Sequence, residues 1–185
     1  MLIMKIKYFG LLIRLFLFKI KYAKRVKLNS IKVGFEKGVT FIIRGKKSIV
    51  SLGKNIYLMR NGNLEVYDGG LLEIGNNVSI NKNFSIVSRN KITIGNNVSI
   101  GPNCCIYDHD HDFSNKDLLI QKQGYNSKEI FIGNNVWIAS NVFIGKGVKI
   151  SNGAIVASGS IVVNDVDENT VVGGNPAKFL KKRFC

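Results

Sequence analysis

Only two side chains in this sequence have an ordinary pKa close to neutrality, and one residue separates them. They are His109 and His111, in the phrase YDHDHDF at 107–113. An imidazole with an unperturbed pKa of about 6.5 can accept a proton and pass it on, so the pair are the candidates for a general base. Asp108, Asp110 and Asp112 alternate with them, and any of the three could orient a ring through its second nitrogen. Because the two histidines lie in an extended loop, only one is expected to point into a given site. Other reactive groups are sparse. The three cysteines, Cys104, Cys105 and Cys185, have no framework spacing, and two are neighbours, which fits a reduced chain. Cys104 and Cys105 read as small packing residues. No His/Cys cluster has a zinc-site spacing.

The elements that must carry these residues announce themselves by period. From Ile132 to Asp165 an aliphatic residue opens every sixth position: Ile132, Ile138, Ile144, Ile150, Val156 and Val162. A small or apolar residue takes the fifth place: Val136, Val142, Val148, Ala154 and Ser160. A six-residue period is too short for a helix pair. It fits one short strand and one turn, three of which close a triangular coil with the aliphatic residue inside. The same register runs through Ile74, Ile80, Ile86, Ile94, Ile100 and Ile106, and IGNN occurs at 74, 94 and 132. Residues 29–73 are less regular, but short β-branched runs separated by Gly/Asn turns read as further coils. Between Tyr107 and Glu129 the period stops. A long insertion in a compact repeat is usually functional, and this one holds both histidines.

The chain carries a net charge of +15. Residues 1–30 contain eight Lys or Arg and no acid, so residues 1–28 read as a distinct basic segment. No apolar run reaches the roughly 18–20 residues of a spanning helix, and there is no signal-peptide pattern. On a helix Lys7, Arg14, Lys21 and Arg25 share one face, with Phe9, Leu12, Leu15, Phe16 and Ile20 on much of the rest. That suits an anionic membrane interface, or packing on the coil or a neighbouring subunit. No nucleic-acid-binding motif accompanies the charge. After Val163, glycines and Pro176 break the period, and NPAKFLKKRF reads as a short helix closing the stack.

These hexads, with IGNNVW at 132–137 and GNPAK at 174–178, resemble the hexapeptide-repeat acyltransferases. Within them the chain is most similar to the maltose, galactoside and xenobiotic acetyltransferases and the O-acetyltransferases of bacterial surface polysaccharides. The likeness covers roughly residues 74–180. It implies an all-β fold: a left-handed parallel β-helix over 29–172, preceded by the amphipathic segment 1–28. One long loop, about 107–129, interrupts it, and a capping helix follows at 173–185.

The resemblance also implies acyl transfer from acetyl-coenzyme A to a hydroxyl, with no metal required. Laid on that pattern, His111 is the general base. Asn81, His109 and Trp137 shape the acceptor site, and Ala139, Ser140, Ala157 and Ser158 line the thioester arm. Lys178, with Lys181 and Lys182 behind it, meets the nucleotide phosphates. Where most relatives have Gly, Ala139 adds a methyl that narrows the groove. Asp112 replaces the usual proline after the base, and the span from His111 to Trp137 is two residues longer than in the sugar acetyltransferases. A homotrimer is implied, with sites between neighbours. The acceptor expected is a sugar of a surface polysaccharide or its precursor, and the location is cytoplasmic, at the inner face of the membrane. The alternatives are another acceptor (free sugar, sugar amine or serine) and a non-catalytic scaffold of the same fold. The β-helical carbonic anhydrases need three histidines on one metal, and this chain has two.

Overall fold

A computed structural model describes residues 13, 16–18, 20–22, 24–30 and 32–184. The chain winds into a three-sided β-solenoid in which successive strands visit three parallel sheets in rotation. Face A is built from Val26–Leu28, Ile49–Leu52, Leu71–Ile74, Lys91–Ile94, Ile130–Ile132 and Lys149–Ile150. Face B comprises Val33–Phe35, Ile56–Leu58, Ser79–Ile80, Ser99–Ile100, Trp137–Ile138, Ile155–Val156, Thr170–Gly174 and Ala177–Lys182. Face C comprises Thr40–Ile43, Asn63–Val66, Ser85–Ser88, Cys105–Tyr107, Phe143–Ile144 and Ile161–Val162. The irregular residues 29–73 are therefore coils of the same stack.

The hexad explains this geometry. First-position Ile132, Ile138, Ile144 and Ile150 are fully buried, and fifth-position Val136, Val142 and Val148 are 2 % exposed. Each buried aliphatic side chain stabilises the stack by about 1.5–3 kcal/mol. The turn chemistry is equally direct in IGNN. A Cβ on Gly75 would stand 2.6 Å from the carbonyl oxygen of Gly95 on the next coil, so only glycine fits. The first Asn links coils: Asn96 Oδ1 accepts the Asn76 N–H at 2.8 Å, and Asn134 Oδ1 accepts that of Asn96 at 2.8 Å. The second Asn turns the corner in the left-handed region, with φ of 56° at Asn77, 58° at Asn97 and 56° at Asn135.

The described helical residues at 13, 16–18 and 20–22 lie at the first end of the stack. Phe18 is buried, its ring centroid 4.3 Å from that of Phe41 and 5.4 Å from that of Phe35. Tyr22 donates its hydroxyl to the Phe41 carbonyl at 2.6 Å. Ile13, Phe16, Leu17 and Ile20 are exposed. Lys7, Phe9, Leu12, Arg14 and Leu15 of the basic amphipathic reading lie outside the described residues. Among the described residues no helix is long and apolar enough to cross a membrane.

Two expectations need correction. The C-terminal segment is not a helix: Ala177–Lys182 runs antiparallel to Thr170–Gly174 after a turn at Asn175-Pro176. The open edge of the last coil offers a row of unpaired backbone groups, and pairing with it outweighs the weak helix propensity of KFLKK. The insertion is an ordered hairpin instead of an irregular loop. His109–His111 pairs antiparallel with Tyr125–Ser127. Its distal part is held by Gln123 Nε2, which donates to the carbonyls of Asn115 and Leu118 at 2.8 and 2.9 Å.

Candidate functional site

The hairpin leaves the solenoid at the corner between faces C and A. Asp108 ends the outgoing limb, two residues after the inward Ile106, and so points inward on the strand alternation. It is completely buried. Its carboxylate accepts the Ser88 hydroxyl at 2.8 Å, the Arg89 N–H at 2.8 Å and the Asn90 N–H at 2.9 Å. It also faces His109 Nδ1 at 3.1 Å. Burial pushes this carboxyl up, but the bonds from His109, the Arg89 and Asn90 amides and Ser88 outweigh it and hold the group below the usual range. An ionised Asp108 orients the His109 ring by accepting from Nδ1 and turns Nε2 away from the carboxylate. The other two acids do not touch a histidine. Asp110 pairs with Lys146 at 3.0 Å, and Asp112 accepts the Ser114 N–H at 2.9 Å, which lowers its pKa.

The two histidines share a face, which corrects the expectation that only one could point into the site. On a strand, residues two apart lie on the same side, and both rings approach Tyr125. The centroid distance is 5.4 Å for His109 and 4.7 Å for His111. The His109 side chain is 13 % exposed, whereas His111 is exposed.

The remaining expected residues gather elsewhere. Asn81, Trp137, Ala139, Ser140, Ala157 and Ser158 all line one groove of about 680 Å³ on face B. Parallel pairing of Ser99 with Trp137 and of Trp137 with Ile155 places the indole between two coils, 54 % exposed. The Ser140 and Ser158 hydroxyls are 2.7 Å apart, and Ser158 also donates to the Ser140 carbonyl at 2.8 Å. Gly101 forms the floor, where a Cβ would lie 2.6 Å from the Ala139 carbonyl carbon. Ile155 and Val171 complete an apolar wall. Gly101, Pro102, Ile155, Val156 and Val171 were not anticipated, although all but Val171 follow from the hexad register once Trp137 and Ser140 are placed. Lys178 is exposed on the terminal strand opposite Gly173 and is not among the groove's lining residues.

Neither histidine is among the groove's lining residues. Most of that lining sits on the turns leading from face B to face C, whereas the hairpin leaves at the far end of face C. A six-residue side is about 20 Å long at the strand rise, so the two regions flank one face of the solenoid. Cys104 is buried and Cys105 faces outward on face C; Cys185 lies outside the described residues. Among the described residues no cluster of three or more His, Cys, Asp or Glu could hold a metal ion.

Comparison with solved structures finds the same architecture. A hexapeptide-repeat acetyltransferase from Vibrio cholerae, complexed with acetyl-coenzyme A, is 27 % identical with a TM-score of 0.57, covering 83 % of this chain and 72 % of that one. A galactoside acetyltransferase in complex with coenzyme A is 29 % identical with a TM-score of 0.58, covering 86 % and 64 %. AntD, an N-acyltransferase from Bacillus cereus solved with dTDP-4-amino-4,6-dideoxyglucose and coenzyme A, has a TM-score of 0.74. Its 18 % identity, over 90 % and 89 % of the two chains, shows the shared fold alone. No family model and no curated protein matches the chain.

Proposed function

We propose that this chain, whose fold and structural neighbours are those of the hexapeptide-repeat acyltransferases, is an acetyl-coenzyme A-dependent O-acetyltransferase acting on a sugar hydroxyl. The observation that carries this reading is the convergence of Asn81, Trp137, Ala139, Ser140, Ala157 and Ser158 on one groove of face B. The groove has the apolar wall and backbone polar groups that an extended pantetheine needs. The chemistry requires a base within hydrogen-bond reach of the acceptor hydroxyl. We assign that base to His111, with His109 tied to Asp108 and shaping the site beside it. The His111 imidazole takes the hydroxyl proton as the oxygen attacks the thioester carbonyl. The coenzyme thiolate leaves when the tetrahedral intermediate collapses, and it receives that proton from the imidazolium. Lys178 remains a candidate for the nucleotide phosphates.

Neither histidine lines the groove, and one face of the solenoid separates them, so the active assembly in this reading is a homotrimer in which the hairpin of one copy reaches the groove of the next. Cyclic symmetry supplies three such junctions. The apolar hairpin arm fits that role, since Phe113, Leu118, Leu119 and Ile120 are all exposed in a single copy. The acceptor we favour is a glycan of the cell surface or its lipid-linked precursor. Exposed Ile13, Phe16, Leu17 and Ile20, on a segment with eight cations and no acid, support a peripheral contact with an anionic membrane from the cytoplasmic side.

The experiment is transfer of labelled acetyl from acetyl-coenzyme A to purified glycans, free sugars and amino sugars. Product on a hydroxyl that survives mild acid and is lost in mild base is expected. A stable amide product would move the reading to N-acylation.

A further inference from the structure

A ladder of alternating cations and aromatic rings climbs the corner between faces C and A, with one member from each coil. The Arg44 guanidinium lies 5.9 Å from the Tyr67 ring, and the Arg89 guanidinium lies 5.0 Å from the same ring on the next coil up. Arg89 is also 3.5 Å from the Tyr125 ring centroid, a close stacking distance. Tyr125 in turn carries the His111 ring at 4.7 Å with the planes tilted by 35°. His111 and Tyr125 are direct cross-strand partners in the hairpin.

Three further facts single out this contact. No hydrogen bond to the His111 ring is found among the described residues, so the tyrosine face is what defines its position. Arg89 pairs with Asp68, and its backbone N–H binds Asp108, yet its Nε is buried without a partner. A buried donor left unpaired is costly, which marks the guanidinium as held for where its plane lies. The Tyr125 hydroxyl makes no hydrogen bond among the described residues, so the ring alone does the holding.

We infer that Tyr125, backed by the stacked guanidinium of Arg89, is the positioning residue that sets the ring of His111. This rests on His111 being the base of the acyl transfer proposed above. Without the tyrosine face, His111 is free to turn among rotamers on an exposed strand, and most of them carry Nε2 away from the acceptor. Arg89 is planar and stacks, so lysine is a poor substitute.

The test pairs kinetics with imidazole NMR, which is simple because the chain has two histidines. In the wild type, ring current from Tyr125 displaces the His111 ring-proton signals, and Tyr125→Leu or Tyr125→Ala removes the displacement. In the same variants kcat falls about 10- to 100-fold, the scale set by misplacing a reacting group, while KM for acetyl-coenzyme A stays within about twofold. Tyr125→Phe restores both readouts; Arg89→Lys does not. Unchanged His111 signals, an unchanged kcat, or equal losses in the Phe and Leu variants would overturn the inference. If the wild type transfers no acetyl group but the displacement still depends on the Tyr125 ring, the clamp stands and the acyl-transfer reading fails.

Discussion

His109 Nδ1 lies 3.1 Å from Oδ1 of the fully buried Asp108, so a carboxylate that already accepts from three other donors also orients a histidine ring. The pair ties the hairpin to the coil below it through Ser88, Arg89 and Asn90. Replacing Asp108 by Ala leaves these donors unpaired in the interior, at a cost on the order of 3 kcal/mol. Because the folded pKa of Asp108 is depressed, its contribution is complete above the unfolded value of about 3.9 and is lost as pH falls through the folded value. Urea unfolding between pH 7 and pH 3 should therefore show an acid-side loss of stability that Asp108→Asn diminishes. Identical pH slopes in the two proteins would contradict this.

The two histidines differ in what holds them, and their substitutions should differ too. His111→Ala is expected to lower kcat about 10²- to 10⁴-fold, the usual worth of a positioned base, with little change in KM for acetyl-coenzyme A. His109→Ala should cost less in kcat but should also lower thermal stability, because it withdraws a donor from buried Asp108. The ratio of the two kcat/KM values decides the assignment. A larger catalytic loss at His109 would transfer the base to the histidine whose Nε2 the Asp108 bond leaves free.

The groove on face B should respond to the donor before any acceptor is known. Acetyl-coenzyme A at a hundred times its dissociation constant would stabilise the fold by about 2.7 kcal/mol, visible as a rise in Tm. Ala157→Tyr puts a ring into the groove from its lining, between the coils of Ala139 and Gly173, and should abolish that rise while leaving the unliganded Tm close to normal. A scaffold of the same fold would show no rise in either protein.

The first end of the stack separates packing from surface contact. Phe18→Ala opens a cavity among Phe35, Phe41 and Tyr22 and should cost about 3–5 kcal/mol. Leu17→Glu with Ile20→Glu touches only exposed positions, so the fold should survive. Binding to anionic vesicles, measured by co-sedimentation, should drop sharply in that double variant. Equal vesicle binding by both proteins would remove the membrane contact from the account.

Much of this architecture was legible in the sequence because the hexad encodes inside and outside directly. Ile132, Ile138 and Ile144 face inward because the period puts them there, and Trp137 and Ser140 follow onto the outer surface of face B. The burial of Asp108 was equally available, since it stands two residues after inward Ile106, the relation Ser88 has to Ile86. The clamp of Arg89 on Tyr125 was not. It joins a coil corner to an inserted hairpin, and no periodicity connects them. The terminal strand is not legible locally because KFLKK carries no strong local preference, and the decisive partner is the open edge of Thr170–Gly174.

The proposed trimer places the base on one copy and the donor groove on the next, and mixing two inactive variants tests this most directly. His111→Ala supplies intact grooves, and Ala157→Tyr supplies intact hairpins. Subunits exchanged at equal amounts should regain about a quarter of wild-type acetyl transfer, because one junction in four pairs a good histidine with a good groove. Mixed assemblies that form but stay inactive would contradict the shared site, as would wild-type activity in a protein that sediments as a monomer.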